Sequence, residues 1–435
     1  MDKIRFKLGP NHIFAFISAI YMLETVTLIV SNNTIDNLIQ LSCICLMGIF
    51  YLIKRSGRFS NNNVYIFIGL LIILSIVAST LRLDGEGVIQ AVKYLINLAF
   101  LFFVIEFYRK DSLVPSYIVG IIDSIGVIIA VQCIILFLLV FFNLPIGMKQ
   151  VYNSRAEIYY RSADFFLGYA NSIHHSASGN ILRAASYFPE PAKLAHFMYI
   201  PMFFMFGKFK KTKRYKYFWG GSAALLCFIL TFSRAGYVAL AAAIFIYLFL
   251  RSKTEKPFTS KQDILKIILA ICVFMVSAVL LLYALDYYSL KNPNSRISSI
   301  FDRGNNVNTK DTVSLIRTTS NYGRVIEALN KNPLGYGLGW TLTKRQEFIL
   351  PSAPGMWLYS SGYLGIVPVI LFFCFVGIKY CIPCIKSKNP IKIAAALSFI
   401  SMYVHDVSYG TWMSINNMFA LSLLIMLKNR DLEGI

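Results

Sequence analysis

Residues 217–250 read YFWGGSAALLCFILTFSRAGYVALAAAIFIYLFL, an apolar run broken once, at Thr231-Phe232-Ser233-Arg234-Ala235-Gly236. A helix needs about 20 apolar residues to cross roughly 30 Å of bilayer hydrocarbon. The run is too long for one crossing and just long enough for two short ones. The interruption therefore reads as a turn between two membrane helices, with Arg234 at or near it. A lone arginine there needs an anionic partner or water. A substrate phosphate is one such partner, and lipid headgroups reached by snorkelling are the other.

The same reading extends outward from this run. The chain has 435 residues, 57% hydrophobic and only 14% charged, which excludes an ordinary soluble domain. Spans are expected at 11–30, 35–53, 64–81, 88–107, 114–142, 187–207, 217–232, 235–250, 264–286, 354–377, 391–406 and 411–427. The fold class expected is an all-α polytopic membrane protein of about 12 helices with two long external loops. The first run starts near Ile13 behind a short basic leader with no small-residue cleavage site, so it reads as a retained span.

The formal net charge of +21 would point to nucleic acid in a soluble chain. Here the cations sit in alternate connections: Lys3/Arg5/Lys7, Lys54/Arg55/Arg58, Arg109/Lys110, Lys208 to Lys216, Arg251 to Lys266, Lys379 to Lys392 and Lys428/Arg430. The positive-inside rule places all of these, and both termini, in the cytoplasm. No nucleic-acid partner is expected. The chain divides into helices 1–5 (1–142), a first external loop (143–186), helices 6–9 (187–286), a second external loop (287–353), and helices 10–12 with a cytoplasmic tail (354–435).

Both long loops carry cations, which the charge rule allows because long translocated segments escape it. Lys149, Arg155, Arg161 and Arg183 lie in the first; Arg317, Arg324, Lys331, Lys344 and Arg345 are among those in the second. They form either solvated surface or an anionic-substrate site. The interleaved Tyr152, Tyr159, Tyr160, Phe165, Phe166 and Tyr169 suit a sugar-stacking surface and equally an aromatic interface belt.

Three constellations can carry chemistry. Arg317 and Arg324, seven apart, lie two turns along one helix face, with Thr319 or Ser320 as a cap, Pro333 as a stop, and Val325, Ile326 and Leu329 as the packing stripe. Paired guanidiniums can grip phosphate in bidentate forks. Gly335, Gly337 and Gly339 then permit close backbone approach and N–H groups aimed at an anion; taken alone, they read as turn geometry.

The second constellation runs from Arg183 through Tyr187-Phe188-Pro189-Glu190-Pro191 to Lys193 and His196, where the first loop re-enters the membrane. Pro191 suits the first turn of a helix. Glu190, Lys193 and, less well, His196 share a face. Glu190 reads as a general base or as a helix-start anchor paired with Lys193. The third is Arg234. His405 and Asp406 occupy a comparable turn between the last two spans, as a catalytic pair or as ordinary turn polarity.

Walker, H-E-x-x-H and G-x-S-x-G signatures are absent from the sequence. Asp84-Gly85-Glu86 has the spacing of an acidic metal pair, but its isolation favours a turn. The eight cysteines lie in or beside apolar runs, and Cys381-x-x-Cys384 has no second pair, so no metal or cofactor is expected.

Together these constellations resemble the O-antigen polymerase and ligase superfamily over most of the chain from about Arg183 onward. The residues carrying the resemblance are Arg183 with Phe188-Pro189-Glu190-Pro191, Thr231 to Gly236, and Arg324-x10-Gly335. The last is a recurrent polymerase motif, present here only in the second long loop. Ligases resemble one another in a histidine within that loop, and residues 287–353 contain none, which favours a polymerase.

The resemblance implies a metal-independent, GT-C-like glycosyltransferase of the bacterial cytoplasmic membrane, working on its outer face. Its donor and acceptor would be undecaprenyl-diphosphate-linked oligosaccharides, destined for O-antigen, capsule or exopolysaccharide. Membrane lipids, a chain-length regulator and a flippase are the implied partners. Arg324 and Glu190 would be catalytic, with His196, His405 or Asp406 as alternative bases. Arg183, Lys193, Arg234, Arg317 and the three glycines would hold the diphosphate. A ligase, or a flippase using Lys93 and Asp123 inside its spans, would be the rival.

Overall fold

The computed structural model describes residues 9–22, 33–54, 63–109, 111–141, 148–153, 158–163, 169–176, 179–186, 188, 191–251, 314–338, 353–408 and 412–433. Helices α1 (Pro10–Met22), α2 (Asn33–Lys54), α3 (Asn63–Leu81), α4 (Gly85–Phe107) and α5 (Ser116–Phe141) come first. After a sheet follow α6 (Pro191–Thr212), α7 (Tyr215–Leu230) and α8 (Arg234–Arg251). Then come α9 (Ser314–Lys331), α10 (Ala353–Ser361), α11 (Tyr363–Lys386, entered through a 3-10 turn and carrying a π turn at Gly377–Cys381), α12 (Pro390–Ser408) and α13 (Ile415–Leu427).

Among the described residues, Asn63–Leu81, Gly85–Phe107, Ser116–Ile135 and Tyr363–Lys386 are long and apolar enough to cross a membrane, and shorter apolar helices accompany them. Large apolar side chains stand exposed along them, including Ile73, Ile89, Trp219, Leu226 and Ile370. In water these would be a liability; in lipid they are the outer face of a membrane bundle. The expected span at 264–286 lies outside the described residues.

The first long loop departs from the all-α expectation. It carries a four-stranded antiparallel meander, β1 (Met148–Asn153), β2 (Ile158–Ala163), β3 (Tyr169–Ser176) and β4 (Gly179–Ser186), in the order β1-β2-β3-β4. The register pairs Val151 with Tyr160 and Ile173 with Leu182, with a bulge at Ala170/Asn171. Tyrosine and β-branched residues favour this pleated geometry, so the residues read as an aromatic surface are also strand formers. β4 packs against α5, α6 and α7.

Helix α12 lies against α6, α8, α10 and α13. Its buried Ala394, Ala395, Ala396, Ser398 and Ser401 let neighbouring backbones come close. Gly126 of α5 does the same for α6, because a Cβ there would lie 2.5 Å from that of Pro201. Asp123 and Lys208, both buried, form a 2.6 Å ion pair across those two helices. Asp123, offered above as a charge for a flippase path, is thus partnered within the bundle.

Several basic segments meet at one end of the bundle. Lys54 pairs with Asp111 at 3.2 Å and Lys392 with Asp431 at 3.5 Å. Arg430 donates to the Tyr108 carbonyl at 2.6 Å, and Val114 bridges to Leu432 in parallel. Asp84 has no acidic partner role in the structure: it N-caps α4, accepting from the Gly87 N–H at 3.1 Å, as the turn reading requires.

Candidate functional site

The interruption at residues 231–236 folds as the run of residue types dictates. Thr231 closes α7 by donating its hydroxyl to the Phe228 carbonyl at 2.7 Å, and Ser233 caps α8 by accepting from the Gly236 N–H at 3.2 Å. Phe232 between them takes φ +46, a left-handed conformation uncommon for a side chain of that bulk. Arg234 is the first residue of α8. The Arg183 Nε of β4 donates to the Thr231 carbonyl at 2.9 Å, stapling the sheet to this turn.

Next to this turn, helices α6, α8, α12 and α13 converge on a buried polar cluster. His196 Nε2 lies 3.5 Å from Asp406 Oδ1. Asn417 Nδ2, one turn into α13, donates to Asp406 Oδ2 at 2.5 Å. The Tyr199 hydroxyl donates to the Gly236 carbonyl at 2.8 Å and lies 3.4 Å from His405 Nδ1. A hydroxyl has one proton, so its oxygen accepts from His405 and Nδ1 carries the hydrogen. The two imidazoles meet edge to face, 5.5 Å between centroids. Lys193, exposed one turn nearer the α6 N-terminus, acts electrostatically on Asp406.

His405 and Asp406 were expected in a turn between spans; they lie instead inside the last turns of α12, buried. His196 is 7% exposed, whereas Lys193 faces out, so the two do not share a surface. Tyr199 and Asn417 were missed. The signal for Tyr199 was its spacing of three from His196 on one helix face. Nothing local marks Asn417, which is recruited by the packing of α13 on α12. Glu190 lies outside the described residues, as do the side chains of Arg234 and Arg317.

The glycine turn lies elsewhere. α9 starts at Ser314, so Thr319 and Ser320 are inside it rather than capping it, and it ends before Pro333 as expected. Val325 and Leu329 are buried against Tyr359 of α10, while Ile326 is 48% exposed and outside the stripe. Arg324 is exposed.

Gly335 (φ +87) and Gly337 (φ +76) do allow close backbone approach, but to protein. The Gly335 N–H donates to Asn332 and the Gly337 N–H to Ser360, each through the carbonyl. A Cβ at 335 would lie 2.7 Å from the Ser360 oxygen, and one at 337 would lie 2.8 Å from Ser79 Cα. Of the N–H groups read as an anion cradle, that of Gly335 closes the local turn and that of Gly337 docks onto α10, while the absent Cβ at 337 makes room for α3. Arg82 stacks on Tyr336 at 4.0 Å, and Tyr336 on Tyr359 at 4.7 Å. Gly339 lies outside the described residues.

An apolar helical bundle with a polar, histidine-containing cluster held where four helices meet defines a membrane protein with a built internal site. Residues 220–367 match a family model described as O-antigen ligase, which supports the O-antigen polymerase and ligase superfamily. The matched segment begins in α7 and runs through the Thr231–Gly236 turn, α9 and the glycine turn. No curated protein and no solved structure matches the chain.

Proposed function

We propose that the protein is a polysaccharide polymerase that joins undecaprenyl-diphosphate-linked repeat units by glycosyl transfer on the outer face of the bacterial cytoplasmic membrane. The observation that carries this reading is the stapling of Arg183 to the turn that starts α8, beside the His196–Asp406 cluster. It groups cationic and proton-accepting residues from three separate parts of the chain around the Thr231–Gly236 turn, which lies inside the segment that matches the family, while Arg183, His196 and Asp406 lie outside it.

In the transfer, the anomeric carbon of the donor glycan leaves diphosphate and bonds to an acceptor hydroxyl. Negative charge builds on the departing diphosphate. Arg234, with Arg183 and Lys193, would neutralise it in a site of reduced dielectric. One preorganised donor of this kind is worth ~3–4 kcal/mol. Arg317 and Arg324 on α9 would hold a second anionic segment of the lipid-linked substrates, with Gly335 and Gly337 positioning that helix. Gly339 keeps its place as a diphosphate-contact candidate. The chemistry needs neither metal nor cofactor, because guanidiniums carry the charge.

The description of the matching family as O-antigen ligase favours a second reading, transfer of finished glycan to an acceptor other than a lipid-linked repeat unit. Deleting the gene in its host and sizing glycans on the carrier and on the cell surface separates the two. Collapse to single repeat units is the expected result. Long chains stranded on the carrier would mean a ligase, and single units held on the cytoplasmic leaflet would mean a flippase.

A further inference from the structure

Resting on the glycosyl-transfer reading, we propose that His196 is the catalytic base that takes the acceptor hydroxyl's proton, and that Asp406 is its positioning residue. The family resemblance pointed to Glu190, which lies outside the described residues; among the described ones the geometry singles out His196.

The cluster contains three groups able to accept a proton, and their surroundings distinguish them. His405 is 0% exposed, and its Nδ1 is bound to a tyrosine whose own proton goes to the α8 backbone. It is enclosed on the side of Tyr199 and serves to hold α6, α8 and α12 in register. Asp406 has both oxygens engaged, one by Asn417 at 2.5 Å and the other facing His196 at 3.5 Å. His196, 7% exposed against 3% for Asp406 and 0% for His405, is the most accessible of the three and sits one turn inside the exposed Lys193 at the end of α6. Its Nε2 faces Asp406 Oδ1 at 3.5 Å, a close approach without a formed hydrogen bond; with the proton on that nitrogen, Nδ1 keeps the lone pair. A carboxylate on this side of the ring favours the Nε2–H tautomer and stabilises the imidazolium formed when Nδ1 takes a proton.

Burial strengthens the case. Two imidazoles, a carboxylate, a carboxamide and a phenol placed among apolar helices carry a desolvation cost that packed leucines would avoid. Ionisable groups at such depth are functional candidates by default. In the step, the acceptor oxygen bonds to the anomeric carbon as its proton passes to His196 Nδ1. The bond from that carbon to the diphosphate oxygen breaks, and its electron pair leaves with the diphosphate. Atoms and charge balance without a further reactant.

The test uses the full chain in lipid nanodiscs, with lipid-linked repeat units extracted from the host's own deletion strain as substrate. His196→Gly should slow single-turnover coupling by about 10²–10⁴-fold, the range of general base catalysis. Added imidazole should restore part of the rate in a saturable way, which a purely structural role would not permit. His196→Gln, closer in volume, should lose activity while keeping the wild-type elution profile and substrate binding. Asp406→Asn should lower kcat and leave KM for the donor unchanged, with partial recovery in Asp406→Glu.

Wild-type turnover in His196→Gln overturns the proposal. So does a folded, substrate-binding His196→Gly that ignores imidazole, and loss confined to Glu190→Gln would return the base to Glu190. If the wild-type protein itself fails to couple these units and the deletion leaves glycan length unchanged, the glycosyl-transfer reading falls and takes the base with it.

Discussion

At the scale of single residues, charge alone does not describe what the arginines are expected to do. Arg324 is exposed on α9, free of any packing duty. Replacing it with lysine keeps the charge but removes the planar fork that can hold two phosphate oxygens. Shortened glycans in an Arg324→Lys strain are expected, and wild-type chain length would remove Arg324 from the site. Tyr199 has the opposite character, since its hydroxyl is fully buried and bonded on both sides. Tyr199→Phe should cost ~1 kcal/mol of stability, read as a lower thermal midpoint in detergent. It should also loosen the tie between the α8 start and His405.

The helices and their junctions are where reading from residues succeeded and where it failed. Hydrophobic length located α3 to α5, α7 and α8 closely, because one long apolar run per helix is a signal that needs no partner. The sheet in the first loop was missed. Its strands carry alternation too weak to stand out beside residues that also suit an interface, and pairing between strands is not visible in any one of them. The glycine turn was located correctly but given the wrong acceptors. The Gly335 N–H is taken by the Asn332 carbonyl within the turn itself, and the Ser360 carbonyl that meets the Gly337 N–H depends on α10 arriving from elsewhere in the chain.

Two alanine substitutions near that turn should move stability in opposite directions. Gly323→Ala meets nothing within 4 Å and should stabilise α9 by up to ~1 kcal/mol. Gly337→Ala meets the α3 backbone at Ser79 and takes a left-handed φ, so it should lower the thermal midpoint and undock α9. Equal effects of the two would contradict the docking described above.

For the molecule as a whole, two features bear on how the bundle is joined and which way it is expected to face. The buried Asp123–Lys208 pair joins α5 to α6. Removing one partner should cost ~3–5 kcal/mol, while replacing both with apolar residues of similar volume should cost far less; unfolding of Asp123→Leu, Lys208→Met and the double variant in detergent measures the difference. The cations gathered around Lys54, Lys392 and Arg430 make the other feature. If that end faces the cytoplasm, a fluorescent reporter fused behind residue 433 should fold and glow, and alkaline phosphatase fused there should stay inactive. Of the site, the sequence exposed the residue types and their order, but not which of them touch, because the cluster draws on four helices separated by long stretches of chain.

The turn at Gly335, Gly337 and Gly362 joins main chain to main chain. A side chain added at Gly335 or Gly362 presses on the other's backbone, and one added at Gly337 presses on Ser79, so no single exchange there is gentle. As this sequence drifts over generations, Gly335 and Gly362 should be kept or abandoned together. The outward face of α9 carries no such bond and can be rewritten residue by residue. A lineage could thus change the surface of this helix while the turn beneath it stays unchanged.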